Sequence, residues 1–145
     1  MSIQVRDLTR QDEPRWRELW AGYVAFYQAD VSDEITDYTW DRLMDPASPV
    51  FGLVALDAGH VVGIVNCVLH ENTWALDPVC YLEDLFVDDS LRGRGAGRAL
   101  MDQVIARAKE RGWHRVYWMT RHDNSTARAL YDKIAPATDW VRYDA

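Results

Sequence analysis

Residues 80–120 hold the feature that most constrains this chain. Cys80 to Val87 is an apolar run, suited to a central strand. A short acidic turn follows, then Arg92-Gly93-Arg94-Gly95-Ala96-Gly97-Arg98. From Gly97 to Arg111 the pattern is helical: Leu100, Val104 and Ala108 share a face with Met101 and Ile105, and Gly112 is a stop signal. Arg115 to Thr120 reads as a further strand. Strand, glycine loop, helix and strand form a βαβ unit, which must be right-handed and largely parallel. Three glycines and three arginines in seven residues, at the mouth of a helix, describe an anion cradle. Glycines let the backbone bend and approach a ligand closely, and backbone N–H groups then face the anion with the helix dipole behind them.

The flanking sequence supplies the rest of a sheet. Ile3-Gln4-Val5-Arg6 alternates as a strand. Asp12 is placed to cap a helix with Pro14 in its first turn, and Trp16, Leu19, Trp20, Tyr23 and Tyr27 make one wide apolar stripe. Residues 28–48 are polar and acidic, with a short helix expected from Tyr38 to Met44. Val50–Leu56 and Val61–Leu69 read as strands joined by the turn Asp57-Ala58-Gly59-His60, and Glu71–Pro78 as a loop. Asn124 to Ile134 is a helix with Ala127, Leu130, Tyr131 and Ile134 on one side, and Trp140–Tyr143 is a candidate last strand. Antiparallel strands precede the parallel unit, so the expected class is α/β (α+β), a mixed sheet covered by helices. A length of 145 residues suits a single domain, 1–145, around one core.

Charge and cysteine usage narrow the function classes. The net charge of −7 and a pI near 5.0 argue against nucleic-acid binding. They suit a cationic small substrate, as well as simple solubility. No apolar stretch reaches the roughly 18 residues of a membrane span, and MSIQVRDLTRQDE lacks the apolar middle of a signal peptide. Cys67 and Cys80 are too few for a disulfide framework and lie in apolar runs, so buried free thiols in a reducing cytoplasm are expected. His60, His70, His114 and His122 show no metal-ligand spacing, and no metal is expected.

Spacing separates the known phosphate loops. A P-loop would place glycine at Arg98, and a dinucleotide fingerprint would place it at Arg98 or Leu100, so both fail. What remains is Arg92-x-x-Gly95-x-Gly97 opening a helix directly after an apolar strand. That pattern resembles the acetyl-CoA loop of the Gcn5-related N-acetyltransferase (GNAT) superfamily, whose order of elements also matches almost the whole chain. Tyr81-Leu82-Glu83-Asp84-Leu85-Phe86-Val87 is similar to the matching strand of the diamine (spermidine/spermine) acetyltransferases. Val116-Tyr117-Trp118-Met119-Thr120, Asn124 and Ala129-Leu130-Tyr131 are similar to the histone- and polyamine-acetylating branch. The resemblance implies an acyl-CoA N-acyltransferase fold, with a sheet of about six to seven strands flanked by about four helices, and a homodimer. It also implies transfer of an acetyl group from acetyl-CoA to a primary amine by direct attack in a ternary complex.

That chemistry sets four tasks. The cofactor must be held, the carbonyl oxygen stabilised, the amine deprotonated and the leaving thiolate protonated. Backbone amides across Gly93, Arg94, Gly95, Ala96, Gly97 and Arg98 are candidates for the pyrophosphate. Arg92, Arg94 and Arg98 add charge, or simply form a solvated basic face. The resemblance implies that Leu85, Phe86 and Val87 pair with the pantetheine arm and that Asn124 touches it, although Asn124 is also a good helix cap. It further implies Tyr131 as the acid for the thiolate and Glu83 as the base for the amine. From spacing alone Tyr131 is equally a core aromatic. Glu83 and Asp84 are adjacent, so on a regular strand they point to opposite faces. Either is a functional carboxylate or a paired structural one.

On the acceptor side, Tyr23 to Glu34 sets aromatic rings beside carboxylates, as an ammonium group requires. Tyr27, Asp30, Glu34, Trp74 and Asp84 are the substrate candidates. The plainer reading is core aromatics and solvated acids. The acceptor itself stays open among a polyamine, a lysine side chain, an amino-acid-like amine and a peptide. A non-catalytic acyl-CoA-binding or regulatory domain of the same fold is the alternative, and retention of both Glu83 and Tyr131 favours the enzyme.

Overall fold

Alternating apolar residues and a tight turn build the first part of the sheet. The structure, a computed structural model, describes residues 3–91 and 93–145. β1 (Ile3–Asp7), β2 (Val50–Asp57), β3 (His60–His70), β4 (Val79–Val87) and β5 (Val116–Tyr117) lie in that order across one five-stranded sheet. The first four are antiparallel neighbours, while β5 runs parallel to β4 through the pairs Cys80–Val116 and Tyr81–Tyr117. Ala58 and Gly59 both take positive φ, 51° and 81°, which gives the β2–β3 hairpin a turn matched to strand twist.

Four helices cover the sheet: α1 (Glu13–Phe26), α2 (Asp33–Met44), α3 (Ala96–Arg111) and α4 (Ser125–Tyr131). Each strand alternates between two cores. Leu53, Val65, Cys67, Cys80 and Leu82 meet Leu100, Met101 and Val104 of α3. Val54 and Ile64 meet Trp16 and Leu19 of α1 and Trp40 and Leu43 of α2. Burying one such aliphatic side chain contributes about 1.5–3 kcal/mol, so both faces hold the sheet. Cys67 and Cys80 are buried free thiols.

Three expectations change. α2 begins at Asp33 rather than near Tyr38, because the Ser32 hydroxyl accepts from the Ile35 amide and starts the helix early. The strand expected over Arg115–Thr120 is confined to Val116–Tyr117, since the chain then leaves β4 and Trp118 packs edge-on against Tyr131. Trp140–Tyr143 forms no strand: Trp140, Val141 and Tyr143 are 85%, 72% and 91% exposed. With its side chains in solvent the segment buries little apolar surface to offset the entropy of ordering a strand. The sheet therefore has five strands among the described residues instead of about six to seven, and four helices as expected.

One irregularity in β4 governs the site. Cys67 pairs with Leu82, but the next residue of β3, Asn66, pairs with Asp84. Glu83 is the extra residue of a β-bulge. The bulge reverses the parity expected of Glu83 and Asp84. Leu82 faces α3 before it, and Asp84 and Phe86 face α1 after it, with Leu85 and Val87 back on the α3 side. Without the bulge Asp84 would enter the apolar α3 core. Glu83 is left exposed.

Candidate active site

A cleft of about 650 Å³ opens where β4, the glycine loop and three helices meet. One wall is Tyr23, Phe26 and Tyr27 from the last turns of α1. The floor is Leu85, Phe86 and Val87 of β4, the end begins at Gly93, Gly95 and the first turn of α3, and α4 closes the far side with Asn124, Leu130, Tyr131 and Lys133. α1 lies this close to β4 because of Gly22, where an added Cβ would sit 2.8 Å from the Phe86 ring.

The glycine loop has the geometry of an anion cradle. Gly93 and Gly95 have φ of +86° and +88°, which side chains rarely adopt, and the space around both is open. Gly95 is the N-cap of α3 and supplies no side-chain hydrogen bond to its first turn. Beside it, the parallel ladder of β4 and β5 ends at Tyr81–Tyr117, so β5 does not accompany β4 down to the loop. Gly93, Gly95, Ala96, Gly97 and Arg98 line one end of the cleft and Leu85, Phe86 and Val87 its floor, an open backbone loop beside the stretch of β4 that β5 does not accompany.

The candidate cofactor residues divide. Gly93, Gly95, Ala96, Gly97, Arg98, Leu85, Phe86, Val87 and Asn124 all line the cleft. Arg98 is steadied by Asp102 at 3.0 Å. Arg94 does not line it; its guanidinium reaches the buried Asp57 at 3.2 Å and ties the loop to the β2–β3 hairpin. Arg92 lies outside the described residues. Asn124 caps α4: its Oδ1 accepts from the Ala127 amide at 3.2 Å, its Nδ2 donates to Thr120 at 3.3 Å, and the residue lines the cleft.

Tyr131, the last residue of α4, lies in the cleft with its ring 5.8 Å from Trp118. Burial, and then the nearby Tyr27, push its phenol up, so it is protonated and able to donate at neutral pH. Its carbonyl accepts from Ile134 and Ala135, which turns the chain without a glycine.

The two carboxylates sit at the bulge, in different surroundings. Glu83 is exposed. Asp84 faces α1, where burial raises its carboxyl to about 6; the hydrogen bond from Asn66 opposes this, and the charge of Glu83 adds to it. Tyr23 donates to the Glu83 carbonyl at 3.5 Å and stands beside the Asp84 carboxylate. Burial and the Asp84 charge push the Tyr23 phenol well up. Tyr23 lines the cleft, whereas Glu83 and Asp84 do not; the carboxylate of Asp84 lies behind Tyr23.

The acceptor candidates are not all brought together. Tyr27 lines the cleft. Asp30 is exposed after α1, Trp74 is 88% exposed in the β3–β4 loop, and Glu34 sits in the first turn of α2, where an acid complements the helix dipole. None of these three lines the cleft. Tyr23 and Phe26, which belong to the aromatic segment Tyr23 to Glu34 but not to the five substrate candidates, do line it. Tyr23 stands four residues before Tyr27 on one helical face, and the rings continue as a stack: Trp16 on Trp20 at 5.5 Å, Trp20 on Tyr23 at 5.7 Å.

Known proteins resemble this chain in sequence and in fold. The sequence matches the acetyltransferase (GNAT) family over residues 14–135. It is 36% identical over 143 residues to the D-amino-acid N-acetyltransferase HPA3 of Saccharomyces cerevisiae, covering 97% of this chain and 89% of that one. The fold is similar to a ribosomal-protein-alanine N-acetyltransferase from Brucella melitensis biovar Abortus 2308, with a TM-score of 0.81, 24% identity and 99% of each chain covered. It is also similar to AAC(6')-Iy in complex with a bisubstrate analogue, with a TM-score of 0.82 at 19% identity, covering 100% of this chain and 98% of that one. No helix among the described residues is long and apolar enough to cross a membrane. The chain belongs to the acetyltransferase (GNAT) family and catalyses acetyl-CoA-dependent N-acetylation of amines.

Proposed function

We propose that the acceptor is the α-amine of a small amino-acid-like molecule, with D-amino acids the first class to test. The 36% identity to a D-amino-acid N-acetyltransferase across nearly the whole chain carries this reading. The cleft supports it: Tyr23, Phe26 and Tyr27 offer aromatic rings to an ammonium, and Lys133 offers positive charge to a carboxylate. The sequence likeness to polyamine acetyltransferases makes a diamine the competing acceptor.

When bound, acetyl-CoA supplies an activated acetyl thioester. The chain's own groups do the rest. An amine of lysine type is protonated up to about pH 10 and an α-amine up to about pH 8, so a proton must be removed before attack. Asp84 takes that proton. A carboxylate titrating near 6 is almost fully ionised at pH 7–8, yet accepts a proton more readily than an ordinary aspartate. Glu83, the base implied by family likeness, lies one residue away and draws the cationic amine to the bulge. Tyr131 donates its phenolic proton to the departing thiolate. Gly93–Gly97 and Arg98 hold the pyrophosphate, and Asn124 steadies the arm. The residues 1–145 act as one domain, and two copies pair in solution.

The test is thiol release from acetyl-CoA across D- and L-amino acids, spermidine and a lysine peptide. D-amino acids are expected to exceed the others by about tenfold or more in kcat/KM, a difference of about 1.4 kcal/mol in transition-state binding. A preference for spermidine or the peptide, or equal rates for D and L forms, overturns the acceptor assignment.

A further inference from the structure

Asn66 is the one polar side chain in the apolar stretch Val61–Leu69 of β3, and it is only 3% exposed. An amide in such a place is costly unless its groups are hydrogen-bonded. Its Oδ1 accepts from Trp16 Nε1 at 3.2 Å, and its Nδ2 donates to Asp84 Oδ2 at 3.2 Å. An indole nitrogen only donates, so Trp16 fixes which end of the amide is oxygen and turns the NH₂ toward Asp84. Trp16 is itself fully buried, stacked on Trp20 and packed on Trp40 at 5.4 Å. Asn66 stands directly opposite Asp84 because the bulge at Glu83 restores their pairing.

We propose that Asn66 is a positioning residue of the acetylation reaction, holding the Asp84 carboxylate between β3 and Tyr23, whose ring lines the cleft. The inference rests on the reading of Asp84 as the group that accepts the amine's proton. The titratable groups facing Asp84 are Glu83 and Tyr81 on its own strand, Cys67 on β3 and Tyr23 on α1. Glu83 opposes ionisation of Asp84, whereas the Asn66 NH₂ and the Tyr23 hydroxyl favour it. Loss of the Asn66 donor therefore raises the pH at which the base form appears.

The test combines two readouts on Asn66→Leu, which keeps the volume and removes the donor. The first is the ¹³C titration of the Asp84 carboxyl without substrate, assigned by its loss in Asp84→Asn. The second is the pH profile of kcat/KM. The expected result is a higher titration midpoint in Asn66→Leu. Its kcat/KM at pH 5.5 should fall about tenfold further below wild type than at pH 8.5. Trp16→Phe, which frees the amide to turn, shifts both readouts the same way by less and serves if Asn66→Leu does not fold. An unchanged midpoint in both variants, or an equal loss of kcat/KM at every pH, overturns the proposal. The two readings fail separately. If Asp84→Asn keeps the wild-type acid limb, Asp84 is not the base and the reaction role of Asn66 falls with it. If Asp84→Asn abolishes the limb while Asn66→Leu leaves it in place, the base stands and Asn66 alone is refuted.

Discussion

Replacing Asp84 by asparagine should make the protein more stable and less active. In the unfolded chain an aspartate titrates near 3.9, while in the fold Asp84 titrates near 6, chiefly because burial disfavours its charge. The sign follows from proton uptake. Between about pH 4 and pH 6 the folded state binds the proton more tightly than the unfolded chain, so stability falls as pH rises through that window and then levels off. Two units correspond to at most about 3 kcal/mol of cost at neutral pH. Asparagine still accepts from the Asn66 amide, but brings an NH₂ group that needs an acceptor, which returns about 1–2 kcal/mol. The net gain is about 1–2 kcal/mol at pH 8, or roughly 3–6 °C in Tm for a chain of this length. It should shrink as pH falls through 6 and reverse near pH 4, where the folded carboxyl is protonated and only the cost of the NH₂ group remains. Thermal unfolding followed by circular dichroism at pH 4.5, 6 and 8 measures this directly, and the same samples report kcat/KM. If the Tm difference between the two proteins is constant across pH, Asp84 is not a strained carboxylate, and both its raised titration and its use as a base lose their physical ground.

Three further outcomes follow from the geometry. Tyr131→Phe should lower kcat by about 10²- to 10⁴-fold with Tm and the KM for acetyl-CoA little changed; wild-type turnover would remove Tyr131 as the acid. Gly95→Ala and Gly59→Ala both force alanine into left-handed backbone with open space around it, so each should cost about 1 kcal/mol of stability. Only Gly95→Ala should raise the KM for acetyl-CoA, and equal effects on KM would sink the loop assignment. Asp12→Asn removes the charge opposite Arg6 and turns into a donor one of the two oxygens that accept from Arg6, at 2.8 and 3.0 Å. Because Arg6 holds the Asp12 carboxyl below its usual range, the stability it adds is present above about pH 4 and is lost as pH falls through the lower folded value. Denaturant titration at pH 7 should show a loss of about 1–2 kcal/mol that narrows in acid.

The βαβ core was legible because its signals are local: an apolar run, glycines where the backbone turns left-handed, and an apolar helical face closed by Gly112. The stripe on α1 was equally plain. What escaped depends on partners distant in sequence. Period two placed Glu83 and Asp84 on opposite faces correctly for a regular strand, but the bulge that decides which one meets α1 is a property of the pairing with β3. Trp140–Tyr143 has the composition of a strand but leaves its large side chains in solvent rather than in the core that would hold it in the sheet. Asn66 carried a readable signal, a single amide in an apolar run, as did Ser32-Asp33-Glu34, a capped and acidic helix start. The Asn66 signal has meaning only once the bulge brings Asp84 opposite it, and the Ser32 cap only once the helix after it packs on the sheet. Asp30, Glu34 and Trp74 illustrate the converse: residue type suited to a cation does not bring a side chain to the cleft.

The bulge in β4 also bears on insertions and deletions. In an ordinary strand, loss of one residue turns every later side chain over, exchanging core for surface. Glu83 is different, because Leu82 and Asp84 already stand opposite the consecutive residues Cys67 and Asn66. Deleting Glu83 would leave a ladder in regular alternation, with Asp84, Leu85, Phe86 and Val87 keeping their faces. The codon for Glu83 is thus a place in the middle of the sheet where a reading frame can lose three nucleotides and the fold can keep its interior. What such a protein would lose is the local kink that turns the strand beside the cleft, so its failure would be one of chemistry rather than of folding.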